Sequence, residues 1–214
     1  MKTSKIIPVS YCTPTGGAFV AAFLTAAKNN NFNQPEFMKH GNSHKTGLDD
    51  VTVPRGDMLD TDDYKLNLLL NAPIEDNVPY FISTHLVELP LLEANFNKVI
   101  RITYDSTDIE ELVNVYIGKV CFDVFNRDVT LSKRRGVMHM LYMLDNKESF
   151  VAGTNTDSVL YLPWKTLYHG DSNSLIKTLS KFTEISQPQF NIDFLNTWKE
   201  KTKECISVVK SVIN

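Results

Sequence analysis

The chain has 214 residues, 43% of them apolar and 22% charged, with a formal net charge of −3. That length suffices for one domain with a full core, and the composition is ordinary for a soluble globular protein. The charge balance excludes a general pull toward nucleic acid or anionic membrane, so any anion site must be local, and no apolar run reaches the ~18 residues of a membrane span.

The N-terminus lacks a signal-peptide pattern. Three cysteines, Cys12, Cys121 and Cys205, are odd in number and far apart. That argues against a disulfide framework or zinc knuckle and suits a reducing cytoplasm.

Lys5 to Ser10 reads as a short buried strand, and Gly17 to Lys28 as a helix apolar nearly all round, hence central. Asn29 to Asn33 stops it. Gln34 to Thr61 is polar and aperiodic, a surface excursion, and Tyr64 to Asn71 could form a short helix. Tyr80 to Ser83 is a second strand, followed by a helix over Glu88 to Asn95. Lys98 to Tyr104 (KVIRITY) is a third strand, rich in β-branched residues. Asp105 to Asp108 offers N-caps for a helix over Ile109 to Phe125, and Ser132 to Leu144 is an amphipathic helix with a basic start. Ser158 to Pro163 is a fourth strand, and Ser172 to Phe182 and Asn191 to Val212 are closing helices. Strands alternating with helices predict an α/β fold, a three-layer sandwich with a central parallel sheet. With no repeat or long linker, residues 1–214 read as one domain with a variable insertion at about 34–63.

The stretch SYCTPTGGAFVAAFL, Ser10 to Leu24, has the layout strand, glycine loop, helix. Backbone N–H groups at a helix N-terminus bind anions without side-chain charge. Gly16, Gly17 and Ala18 would supply such groups, and Thr13 and Thr15 hydroxyl donors. The plainer reading is a strand-to-helix turn that needs glycine for its dihedrals. The loop is not a Walker A motif, because Gly-Lys-Ser/Thr is absent.

His85 follows a predicted parallel strand, so it falls at the carboxyl edge of the sheet, where ligands of α/β folds collect. It suits a general base near neutral pH, or a histidine that caps the next helix or bonds a backbone carbonyl. His40 and His44 stand four apart, but Gly41-Asn42 breaks a helix and no third metal ligand is evident. No metal is therefore expected there, and the pair reads as a substrate-facing or ordinary surface loop. The acidic run Asp57 to Asp63 lacks calcium-loop periodicity and reads as a solvated helix start. Lys133-Arg134-Arg135 is either a solvated helix turn or a phosphate contact. Trp164, Tyr168 and Trp198 read as core or subdomain aromatics, or one of them as a face for an adenine or acceptor ring.

Three segments in order resemble the sulfotransferases of P-loop-like fold. Pro14-Thr15-Gly16-Gly17-Ala18-Phe19 stands in the frame of the family's Lys-Ser-Gly-Thr-Thr-Trp loop. Ser83-Thr84-His85-Leu86-Val87 is similar to Lys-Thr-His-Leu-Pro, and KVIRITY running into Asp105-Ser106-Thr107-Asp108 is similar to the strand before Arg-Asn-Pro-Lys-Asp. Tyr161 to Ile185 resembles the family's late strand and helix. The spacing carries the resemblance more than the identities do. It implies a sulfuryl donor, 3′-phosphoadenosine-5′-phosphosulfate, and a hydroxyl acceptor, a small molecule or carbohydrate. It implies His85 as catalytic base and Thr13, Thr15, Gly16, Gly17 and Ala18 as the donor's 5′-phosphate cradle. Pro14 stands where the family has its loop lysine, and Tyr104 and Leu112 where it holds the 3′-phosphate. Arg134 and Arg135 are the cations left to replace those contacts. Two other readings stay open: a catalytically silent binding module of the same shape, and a small-metabolite kinase, disfavoured by the missing lysine and magnesium-binding hydroxyl.

Overall fold

The computed structural model describes residues 6–12, 15–32, 80–85, 87–123 and 129–213. Four five-residue strands form one sheet: β1 (Ile6–Ser10), β2 (Tyr80–Thr84), β3 (Val99–Thr103) and β4 (Val159–Pro163). Their order is β2-β1-β3-β4, and every pairing is parallel. The strands are rich in Ile, Val, Leu and Phe because both faces of a parallel sheet are covered. Side chains alternate between the faces. Ile7, Val9, Phe81, Ile100 and Leu160 join the large core cluster, and Ile6, Ile82 and Val99 join a smaller one with Leu92 and Phe96.

Seven helices are described: α1 (Gly17–Lys28), α2 (Leu89–Asn95), α3 (Ile109–Asp123), α4 (Val129–Asn146), α5 (Trp164–Tyr168), α6 (Ser172–Thr183) and α7 (Ile192–Ile213). The architecture is α/β, with a central parallel sheet packed on both faces. None of these helices is long and apolar enough to cross a membrane.

Local chemistry sets the boundaries. α1 is buried nearly all round and stops where Asn30 turns left-handed at φ 49°. A 3-10 turn over Ser106–Asp108 leads into α3. There Asp105 accepts from the Thr107 N–H at 2.7 Å, while the Asp105 N–H donates to the Asp108 carboxylate at 3.0 Å. Asp171 caps α6 by accepting from the Ser174 N–H at 2.7 Å. α4 starts at Val129 rather than Ser132, and α5 was not expected from the sequence.

α7 closes over α1. The Phe19 and Trp198 rings stack 3.7 Å apart, and Tyr168 meets Trp198 at 4.9 Å. Trp164 and Trp198 are both wholly buried, so these aromatics are core. The chain leaves β1 for β2 on one side, then crosses back to β3 on the other. The carboxyl end of β1 is therefore the switch point of the sheet, the place where parallel α/β folds leave a crevice for ligands.

Candidate functional site

From the end of β1 at Ser10 the chain runs through Tyr11 and Cys12 toward the glycine turn. Thr15 folds back on that end. Its N–H donates to the Cys12 carbonyl at 2.8 Å and its hydroxyl to the same oxygen at 2.6 Å. Thr15 is completely buried. The hydroxyl expected to meet an anion closes the turn instead, because a buried donor must find a partner and Cys12 O is the nearest.

Gly16 holds φ +90°, a left-handed conformation that glycine adopts freely. A methyl group on it would lie 2.7 Å from Leu167 and 3.1 Å from Tyr168; one on Gly17 would lie 2.2 Å from Tyr11. Both glycines are thus demanded by the turn's shape and by close packing. The N-cap residue, Gly16, has no side chain to cap α1. The first-turn N–H groups of Gly17 and Ala18 lie beyond the reach of intrahelical acceptors, as at any helix start. Thr13 lies outside the described residues.

His85 stands directly after β2 and is half-buried. The strands are in register here, Ser10 beside Thr84, and the Tyr11 N–H donates to Thr84 O at 3.1 Å. That register sets the His85 ring against Tyr11, with ring centroids 4.3 Å apart and Nδ1 3.1 Å from the Tyr11 carbonyl. A carbonyl oxygen only accepts, so Nδ1 carries the proton. In the neutral form of that tautomer the lone pair sits on Nε2. The histidine thus bonds a backbone carbonyl, as the plainer of its expected roles had it, and that bond selects the Nδ1-protonated tautomer.

Beneath this pair lies Arg101, wholly buried in the middle of β3 beside Ser10. Its guanidinium donates to Ser10 Oγ at 2.5 Å, to Val87 O at 2.7 Å and to Ser149 O. It also lies 3.9 Å over the Phe150 ring. Arg101 thereby ties the end of β1 and the segment after β2, which flank His85, to the turn after α4. Burial lowers its pKa to about 10, so it stays charged at neutral pH. Burial pushes the Cys12 thiol up to about 12 and raises the Tyr11 and Tyr104 phenols further. Cys12 is therefore a protonated thiol rather than a reactive thiolate. The floor of the site carries one positive charge among neutral groups. Arg101 was not among the residues expected at the site. A charged residue inside an otherwise apolar strand, VIRIT, is the signal that could have found it.

The other expected residues lie apart. Arg134 and Lys133 are exposed on α4, which packs on α3 and on the 3-10 turn after it. Arg135 shares that turn of helix. Tyr104 donates its hydroxyl to Met143 O at 2.7 Å, and Leu112 is wholly buried core, so neither meets a phosphate. His40, His44 and the acidic run at 57–63 lie outside the described residues. Among the described residues, no group of three or more His, Cys, Asp and Glu side chains comes together.

A cleft of about 640 Å³ opens elsewhere, lined by Lys98, Thr156, Lys177, Lys181 and Glu184. It lies at the amino-terminal edge of the sheet, opposite His85. Lys98 is already committed to Glu184 at 2.5 Å and to Phe182 O at 2.9 Å. Comparison of the chain with protein-family models, with curated proteins and with solved structures finds no match in any of the three.

Proposed function

We propose that this chain is a divergent protein of the P-loop-like sulfotransferase kind. In this reading it binds 3′-phosphoadenosine-5′-phosphosulfate at the carboxyl edge of β1 and passes the sulfuryl group to the hydroxyl of a small-molecule or carbohydrate acceptor. The observation that carries it is the setting of His85. The base is held through Nδ1 by Tyr11, beside the mouth of α1, at the switch point of a parallel sheet.

The N–H groups of Gly17 and Ala18 bind the 5′-phosphate side, helped by the helix dipole. Arg101 supplies a fixed positive charge from below, in place of the basic turn at 133–135. The acceptor hydroxyl gives its proton to Nε2 as its oxygen attacks sulfur. The bond from sulfur to the phosphate oxygen breaks, and adenosine 3′,5′-bisphosphate leaves. Pro14 stands where the family places a lysine against that leaving charge. A missing donor of this kind costs about 10²–10³-fold in rate, so turnover is slow.

A second reading, binding without turnover, is favoured by a separate observation. The Thr15 amide and hydroxyl are both spent on Cys12 O, and Leu167 and Tyr168 press on Gly16, which narrows the cradle.

Thermal stabilisation by adenosine 3′,5′-bisphosphate, by ATP with and without magnesium, and by sulfate separates the readings. Ligand at 100 times its dissociation constant adds about 2.7 kcal/mol of stability. A response specific to the bisphosphate supports a donor site. A magnesium-dependent ATP response transfers the protein to the kinases, and no response to any nucleotide removes the donor. Where the donor binds, His85→Ala should abolish transfer and keep the thermal shift. Unchanged turnover in that variant excludes His85 from the chemistry.

A further inference from the structure

Scattered apolar side chains on a surface are ordinary, but a contiguous group of them calls for a partner. Among the described residues, the exposed large hydrophobics are Val137, Met138, Leu141, Tyr142, Leu144 and Val151. Five of the six lie on α4, and the sixth follows it closely. Met138 is 56% exposed and Leu141 54%. The opposite side of the same helix is well packed. Met143 is wholly buried, His139 lies 3.8 Å from the Tyr116 ring, and a methyl on Gly136 would fall 2.6 Å from Ile117 of α3. One face of α4 is thus core and the other is an apolar stripe open to solvent.

Charge runs along that stripe in a particular order. At about 100° per residue, Arg134, Met138, Leu141 and Asp145 fall within about 60° of one another, with Val137 and Leu144 beside them. Gly136 and Met143 point roughly the opposite way. The spacing, four then three then four, is that of a helix-pairing seam. Arg134 and Asp145 are both exposed, and among the described residues neither makes an ion pair.

We infer that the chain forms a two-fold symmetric dimer in which α4 packs antiparallel against α4 of a second copy. The seam is self-complementary only in that arrangement. Centred between Met138 and Leu141, it sets Arg134 against the partner's Asp145 and Met138 against the partner's Leu141, and each contact recurs by symmetry. A parallel pairing sets Arg134 against the partner's Arg134 and Asp145 against the partner's Asp145, which repels at both ends. An acidic or basic foreign partner would satisfy one end of the seam and oppose the other. The inference is independent of what the carboxyl edge binds.

Sedimentation of the full chain from about 1 to about 100 μM tests it. The expected mass is twice that of one chain. Leu141→Glu, at an exposed position, should give a folded monomer with an unchanged circular dichroism spectrum. Arg134→Glu and Asp145→Arg should each weaken association about tenfold, since each turns two attractions into two repulsions. The double exchange should restore the dimer. A monomer across the whole range overturns the inference. So does a dimer that survives Leu141→Glu, or a double exchange that fails to rescue. A monomer that loses stability on Leu141→Glu assigns the face to another segment of the same chain and overturns the dimer too.

Discussion

Arg101 is the residue on which the candidate site is built, and its cost is plain. A wholly buried guanidinium is tolerated because Ser10, Val87, Ser149 and the Phe150 ring take the place of water. Arg101→Met would strip three acceptors of their donor, the buried Ser10 hydroxyl and the part-buried Val87 and Ser149 carbonyls. We expect it to cost about 2–5 kcal/mol in urea unfolding. Arg101→Lys should recover only part of that, because an ammonium keeps the charge but not the fork that reaches three acceptors. Full recovery would mean that charge alone matters. The neighbouring acids give a pH dependence. The folded chain holds the Cys12 proton up to about pH 12, whereas the ordinary thiol value is 9.0. The contribution is complete below pH 9 and drains away as pH climbs toward the folded value, at up to about 1.4 kcal/mol per pH unit. Tyr11 and Tyr104, raised by burial, add to the loss from about pH 10 upward. Urea midpoints should therefore fall between pH 8 and 10.5, and Cys12→Ala should flatten the first part of the decline. A midpoint constant over that range refutes the assignment.

At the scale of elements, the β1–α1 turn is a tight joint. Gly17→Ala drives a methyl to 2.2 Å from the Tyr11 ring, and overpacking of this kind costs about 1–3 kcal/mol. Because Tyr11 also holds His85, the variant should disturb the histidine's tautomer as well, read as a shifted imidazole resonance. Asp105→Ala removes the cap at the entry to α3 and should cost about 0.5–2 kcal/mol. These joints explain what was legible in advance. α1 was read to its exact ends because Gly16-Gly17 and Asn29-Asn30 act locally, and β3 was read from its β-branched residues. α5 was missed because five residues after Pro163 are too few to show a helical period. The site was legible only in its placement at the carboxyl edge. What holds His85 comes from Tyr11, 74 residues earlier, and what holds Arg101 comes from β1, the segment after β2 and the turn after α4. Spacing along the chain carries no trace of such partners, and it does not reveal that the Thr15 hydroxyl turns inward.

For the whole molecule, the sheet divides the interior unequally. A small cluster around Leu92 and Phe96 covers one side, and on the other the large core is closed by the last helix. α7 contributes Phe194, Leu195 and Trp198 to that core, and Trp198 lies flat on Phe19 of α1. The end of the chain thus seals the helix that leads from the glycine turn, so the site's geometry depends on residues more than 170 positions away. Trp198→Ala should cost about 3–5 kcal/mol, the usual toll for emptying a large buried aromatic position. The loss should register at once in every probe. Trp164, also wholly buried, remains as a reporter on the far side of Tyr168, with ring centroids 5.6 Å apart. In the variant its fluorescence and the far-ultraviolet circular dichroism should lose their native signals at the same lowered urea concentration, as for one cooperative unit. If Trp164 instead unfolds at the wild-type midpoint while helical signal is lost early, α7 is a separate cooperative unit, and the seal over α1 does not hold the site.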